Sequence, residues 1–261
     1  MRPSSFFSLA LWISLLLSQI SAANSAAVTI RPTGRFFLND TVYSGLTINL
    51  EDRPSLVVLS RISIDGLMTI VGDGTFLSTR LIMEDCAIYD VLTISKSSEA
   101  IKLESEGSGI FLFRTNLTTT NRAMYSSGLE LRNGAKLVFE QVNFTVGVLS
   151  NAIEFDQMKL FGGAAVVIRN SVINRASGAS TGEVIKFNGP TCYSSDIFIE
   201  NTKLISSPDD GGITTALHLA FGASTFDCYV LVRGVTFDSP VQSHASLDIR
   251  NGPFVGGYLV L

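Results

Sequence analysis

The side chains able to do chemistry in this chain are few and scattered. Cutting an acidic polysaccharide requires two carboxylates flanking a bond, or a carboxylate cluster that holds calcium beside a base. Asp209 and Asp210, in the run Pro-Asp-Asp-Gly-Gly, come nearest to such a pair, and their neighbours read as a solvated turn. Asp73, between Gly72 and Gly74, reads as a turn residue as well. His218 falls in the outward slot of a strand, beside Lys186 and Asp248 of neighbouring repeats, and His244 lies in a polar stretch. No nucleophile accompanies either histidine, so no catalytic, cofactor-binding or metal-ligating residue is assigned. No Cys-x-x-Cys or His-Cys spacing suggests a metal, and no cofactor is implied.

Two covalent modifications are better supported. Asn39, Asn116 and Asn143 each begin an Asn-x-Ser/Thr tripeptide, the acceptor for N-glycans on an exported chain. Asn143 alternates with Phe144, so an inward Phe144 turns Asn143 outward. Cys192 and Cys228 sit just upstream of equivalent segments in neighbouring repeats. Stacked strands lie about 4.8 Å apart, within the reach of a disulfide. A Cys192–Cys228 bridge is therefore expected, against the alternative of three free or buried thiols.

Export is inferred from the first residues. Arg2, the apolar run 6–17 and Ser21-Ala22-Ala23 have the layout of a secretory signal peptide with cleavage after Ala23. The alternative is a retained anchor. The sole tryptophan, Trp12, falls inside this segment. The rest is 46% apolar-rich and only 16% charged by whole-chain composition, against roughly 25% in an average protein. A net charge of −4 gives no reason to expect nucleic acid, and no later stretch is long and apolar enough to span a membrane.

The elements that must position these residues come from a repeat. A nine-residue cassette, apolar-apolar-apolar-polar and apolar again four residues later, recurs at 57–65, 81–89, 111–119, 137–145, 166–174, 197–205 and 230–238. Spacings between 24 and 33 residues mark a stacked-repeat architecture. Alternation of strand side chains points cassette positions 1 and 3 inward and position 4 outward. Bend-tolerant residues at position 5 then make each cassette strand, bend, strand. A weaker apolar-polar-apolar motif falls between cassettes at 101–103, 129–131, 153–155, 185–187, 217–219 and 247–249. The third cassette is irregular, with Leu117 one place early.

Two surface features follow. Position 4 reads Glu84, Arg114, Glu140, Arg169, Glu200, Arg233, an alternating ladder that penalises a skipped repeat. Position 2 should share that outer face, yet it is Val58, Ile82, Leu112, Val138, Val167, Phe198 and Leu231. Such a stripe is a contact surface, or is covered by loops, or reflects the favourable stacking of β-branched and aromatic side chains in strands.

The cassettes Val166-Val-Ile-Arg-Asn-Ser-Val-Ile-Asn174 and Ile197-Phe-Ile-Glu-Asn-Thr-Lys-Leu-Ile205, with Phe187-Asn-Gly-Pro-Thr-Cys-Tyr193, resemble the dispersed gene family of kinetoplastid surface proteins. The resemblance spans roughly residues 40–261. It implies a β-helical, glycosylated, secreted or surface protein acting in adhesion, and supplies no catalytic residue. That family's members are much longer; here Tyr258–Leu261 opens a further cassette with no polar cap after it.

The expected fold is thus all-β, a right-handed parallel β-helix of about 7–8 rungs at 46–261, open at its C-terminal end. It follows a signal-peptide helix at 1–23 and an entry or cap segment at 24–45. The expected function is non-catalytic adhesion or recognition of an extracellular protein or glycan, with self-association through the open end or the apolar stripe. The alternatives are a pectin-lyase-like lyase or hydrolase and a truncated, non-functional paralogue.

Overall fold

The computed structural model describes residues 27–147, 151–175, 182–206, 216–221, 225–238, 247–250 and 258–261, with backbone alone at Arg250. The signal-peptide segment therefore lies outside the described residues, as do Asp209, Asp210 and His244. Every described strand pairing is parallel, and the described residues contain no helix. The chain winds as a parallel β-solenoid whose strands stack into four ladders.

Ladder A starts with Val28–Ile30 and Leu46–Asn49 and continues through the first halves of Met68–Leu77 and Leu92–Glu104. Met124–Ser127, Ile153–Asp156, Ile185–Asn188, Leu217–Ala220 and Leu247–Arg250 complete it. Ladder B takes the second halves of those two long strands, then Leu129–Arg132, Lys159–Phe161 and the starts of Thr191–Glu200 and Thr225–Arg233. Ladder C holds the cassette strands: Arg35–Asn39, Leu56–Ser60, Arg80–Glu84, Gly109–Phe113, Lys136–Glu140, Ala165–Arg169, 196–200, 229–233 and Tyr258–Val260. Ladder D is the second limb of each cassette, from Val42–Tyr43 to Thr236–Asp238.

The cassette phase holds in six of the seven expected copies. Leu81 pairs with Ile110 and Ile110 with Leu137, so the third copy begins at Ile110 and not at Phe111. The run Ile-Phe-Leu-Phe is apolar at every place and carries no phase of its own. Gly109 sets the phase: a Cβ there would lie 2.1 Å from the Lys136 carbonyl oxygen. With this frame the irregularity disappears, because Leu117 pairs with Ile88 and with Phe144, and all three are buried.

Two further expectations change. The weaker motif is two motifs: 101–103 and 129–131 belong to ladder B, whereas 153–155, 185–187, 217–219 and 247–249 belong to ladder A. Both ladders present the same apolar-polar-apolar pattern inward, so pattern alone merges them. The segment expected as a cap already carries ladder strands, with Val57 pairing to Phe36 as one more cassette.

Each C–D corner turns on one residue in the left-handed region, and each B–C corner on one or two. Between ladders C and D these are Asp40, Arg61, Asp85, Arg114, Gln141, Asn170, Asn201 and Gly234, with φ from 47° to 62°. Between ladders B and C they are Ser78, Ser105, Asn133, Gly162, Ser194 and Asp227. Positive φ is least costly for glycine, asparagine and aspartate, so the other residues in these rows are held by the ladders on either side. After the C–D bend comes an inward small side chain. Thr115, Ser171 and Thr202 each donate a hydroxyl hydrogen bond to the carbonyl two residues back, at 3.1, 2.7 and 2.8 Å. Cys86 stands in the same row, and burial pushes its thiol pKa up, which marks it as a packing residue.

All inward rows meet in one continuous core. Aromatic rings meet within it: Phe155 lies 4.6 Å from Phe187 and 6.3 Å from Phe139, centroid to centroid. Each such ring contributes roughly 1.5–3 kcal/mol by burial. Extra residues are extruded at fixed points. The excursion after Lys96 in ladder A is clamped by Asp73, whose carboxylate accepts the N–H groups of Ser98, Glu99 and Ser97 at 2.7, 2.9 and 3.1 Å. Those bonds, the one from Ser98 first, hold the Asp73 carboxyl below its ordinary pKa.

Candidate functional site

Ladder C leaves its outer side facing solvent, and its central outer row is apolar from end to end. In register the row is Phe37, Val58, Ile82, Phe111, Val138, Val167, Phe198, Leu231 and Val260. Phe37 is 53% exposed and Val260 42%, and among the row's members only Val138 is buried. Between those two terminal strands the other members are half-buried, apart from the buried Val138. Leu112, expected in this stripe, points into the core, and Phe111 takes its place.

Rows on either side carry charge and aromatic rings. One side holds Arg35, Arg80, Lys136, Asp196 and Tyr229. The Arg35 and Arg80 guanidinium groups lie over the Phe37 and Phe111 rings at 6.0 and 5.4 Å from the centroids. Partial burial, and then Asp227, push the Asp196 carboxyl pKa up.

The other side is the expected charge ladder, and it is built differently. Glu84 is in register with Phe113, and Phe113 with Glu140, so Arg114 does not stand between the two glutamates. Alternation in that row runs only through Glu140, Arg169, Glu200 and Arg233. Arg169 reaches Glu140 at 2.6 Å, and Arg233 reaches Glu200 at 2.5 Å. Arg114 sits one place later, on the bend, where a second alternating row runs Asp40, Arg61, Asp85, Arg114. Arg61 contacts Asp40 at 2.6 Å, and Arg114 contacts Asp85 at 2.7 Å and reaches back to Glu84. The hydrogen bonds from Arg61 and Arg114 hold the Asp40 and Asp85 carboxyls below their ordinary pKa. The charges thus switch rows at the third cassette, where the frame was misread.

A second polar group lies on the outer side of ladder A. Tyr125, Glu154, Lys186, His218 and Asp248 follow each other in register. His218 is only 8% exposed, and its Nδ1 lies 3.2 Å from Asp248 and 3.8 Å from Glu183. Lys186 faces Glu183 at 3.6 Å, and Arg122 pairs with Glu154 at 2.9 Å over the Tyr125 ring. The expected neighbours of His218 are both present in register; Glu183 is an addition that strand pattern did not reveal. Carboxylates thus flank the imidazole on two sides, and the side chains pack together as one polar cluster.

The glycosylation candidates are all exposed. Asn39 ends a ladder C strand, whereas Asn116 and Asn143 are direct partners in ladder D, with Thr118 beside Thr145. Cys192 and Cys228 form a disulfide with Cα atoms 5.7 Å apart. They are not equivalent positions: Cys192 is in register with Thr225 and Cys228 with Ser195, so the bridge crosses the B–C corner diagonally. Arg175, missed from sequence, is buried in an inward slot of ladder D between Val146 and Ser206. Its only signal was a charge in a slot that is apolar or small elsewhere.

An aromatic strip on ladder B, Phe161, Tyr193 and Phe226, is a weaker contact candidate. Phe161 and Tyr193 stack on each other at 5.6 Å and 14°, so the two rings cover part of each other. No protein-family model matches the chain, and comparison with curated proteins and with solved structures gives no significant match.

Proposed function

We propose that this chain is a non-catalytic, exported or cell-surface β-solenoid that acts in adhesion or recognition through the outer face of ladder C. The observation that carries the reading is the apolar row from Phe37 to Val260. A solvent-facing apolar stripe of that length, rimmed by charge, has the composition of a contact surface. The signal-like first residues, the outward tripeptides at Asn39, Asn116 and Asn143 and the resemblance to kinetoplastid surface proteins support display outside the cell.

The test is a binding screen of the secreted, full-length chain against extracellular glycans and matrix proteins, repeated with a Val167→Glu/Phe198→Glu variant. Both side chains lie half-buried on the outer face, so folding is checked beside binding: the variant should remain folded and lose binding by tenfold or more. Release of unsaturated uronides from polygalacturonate by the purified protein would overturn the reading in favour of a lyase.

A further inference from the structure

We propose that the ladder C face binds the same face of a second copy of this chain, about a two-fold axis lying along the strands. The inference rests on the reading of that face as a contact surface and names its occupant. Such an axis reverses the order of the strands while keeping like rows over like rows, so the apolar row of one copy meets the apolar row of the other.

Charge and extent of overlap together select the register. An axis through Lys136–Glu140 would set Glu140 against its own copy. An axis between Lys136–Glu140 and Ala165–Arg169 sets Glu140 against Arg169 of the second copy, and Glu84 against its Arg233. The same operation places Val138 on Val167, Ile82 on Leu231 and Phe111 on Phe198. It also brings Arg80, already over a ring in its own chain, against Tyr229 of the second copy. An axis between Ala165–Arg169 and 196–200 would also pair unlike charges, Arg169 with Glu200 and Glu140 with Arg233, but it overlaps only six strands; the axis between Lys136–Glu140 and Ala165–Arg169 overlaps eight, with Glu200 lying over Phe113.

The size is adequate. Eight strands at about 4.8 Å span about 34 Å, and three outward rows about 6.6 Å apart make the face roughly 15 Å wide. Close to 500–600 Å² is covered on each copy, about 1,000–1,200 Å² in total, the lower range of specific interfaces. Asn116 and Asn143 lie on ladder D, and Asn39 lies on Arg35–Asn39, the ladder C strand beyond the eight that pair, so glycans at these sites leave the contact open.

Sedimentation of the full-length secreted chain at micromolar concentration tests the proposal. The expected result is a dimer. Glu140→Arg and Arg169→Glu should each raise the dimer dissociation constant at least tenfold, because each sets like charges against each other across the axis. An equimolar mixture of the two variants should restore a dimer, since each then meets its opposite. A monomeric wild-type chain would overturn the proposal, as would a wild-type dimer with no recovery in the mixture. Loss of a foreign ligand's binding in Val167→Glu/Phe198→Glu, with a monomeric wild-type chain, would sink this inference and leave the recognition reading standing.

Discussion

Asn201 shows how much of this fold depends on single backbone conformations. It turns the C–D corner at φ 47°, next to Gly234 at φ 62°. A β-branched side chain tolerates that region poorly, so Asn201→Val should cost about 1–2 kcal/mol, and Asn201→Gly much less, in urea unfolding. Ser126 gives the opposite expectation. Its hydroxyl is buried with no hydrogen-bond partner, in an inward row between Ile94 and Phe155. Ser126→Ala should be neutral or stabilising by up to about 1 kcal/mol. Arg169 stands between two glutamates, so Arg169→Glu should lower the midpoint more than Arg169→Ala, by a few tenths of a kcal/mol for an exposed row. Equal effects would count against the ladder. Residue types made the inward positions legible, because core slots accept few substitutes. They did not fix the phase at Ile110–Phe113, where every residue is apolar and a backbone contact at Gly109 decides.

At the scale of elements, the acidic side chains that clamp corners make stability depend on pH. Asp40, Asp73 and Asp85 all have native pKa values below the ordinary 3.8. Each therefore stabilises the fold fully above that value, and the contribution is lost as pH falls through the lowered native pKa. Asp196, shifted upward, has the opposite sign: its contribution is present at acid pH and is lost as pH rises through its raised value. The three lowered groups should dominate, so the unfolding midpoint should drop below about pH 4, and Asp73→Asn should flatten that drop. The disulfide closes a loop of sequence separation 36, worth about 3–4 kcal/mol in the chain-entropy account. Cys228→Ala should lower stability by about that amount, and thiol mapping of the wild-type protein should find Cys86 as the free cysteine. The pairing was legible from adjacency of repeats. Its diagonal path was not, because two residues between Cys192 and Ser195 are spent on the corner at Ser194. The merging of ladders A and B has the same origin: an identical inward pattern cannot distinguish two walls of one solenoid.

For the whole molecule, stacked repeats contact only their neighbours, and stability is a sum of local terms. Phe139, Phe155 and Phe187 link three successive turns of that stack through ring contacts. Parallel winding was legible because one short cassette returns every 24–33 residues, which stacked parallel rungs require and a β-sandwich does not. The ion cluster at His218 was half legible, since register gave Lys186 and Asp248 while Glu183 enters from outside the strands. What the molecule does with its surface depends on one geometric claim, that Phe111 and not Leu112 continues the outer row between Ile82 and Val138. Thiol labelling of the native, dilute, full-length protein carrying Phe111→Cys or Leu112→Cys measures it directly. Labelling at position 111 within minutes, with position 112 protected until the chain unfolds, is the predicted result. Rapid labelling at 112 and protection at 111 would contradict the outer row and the function built on it.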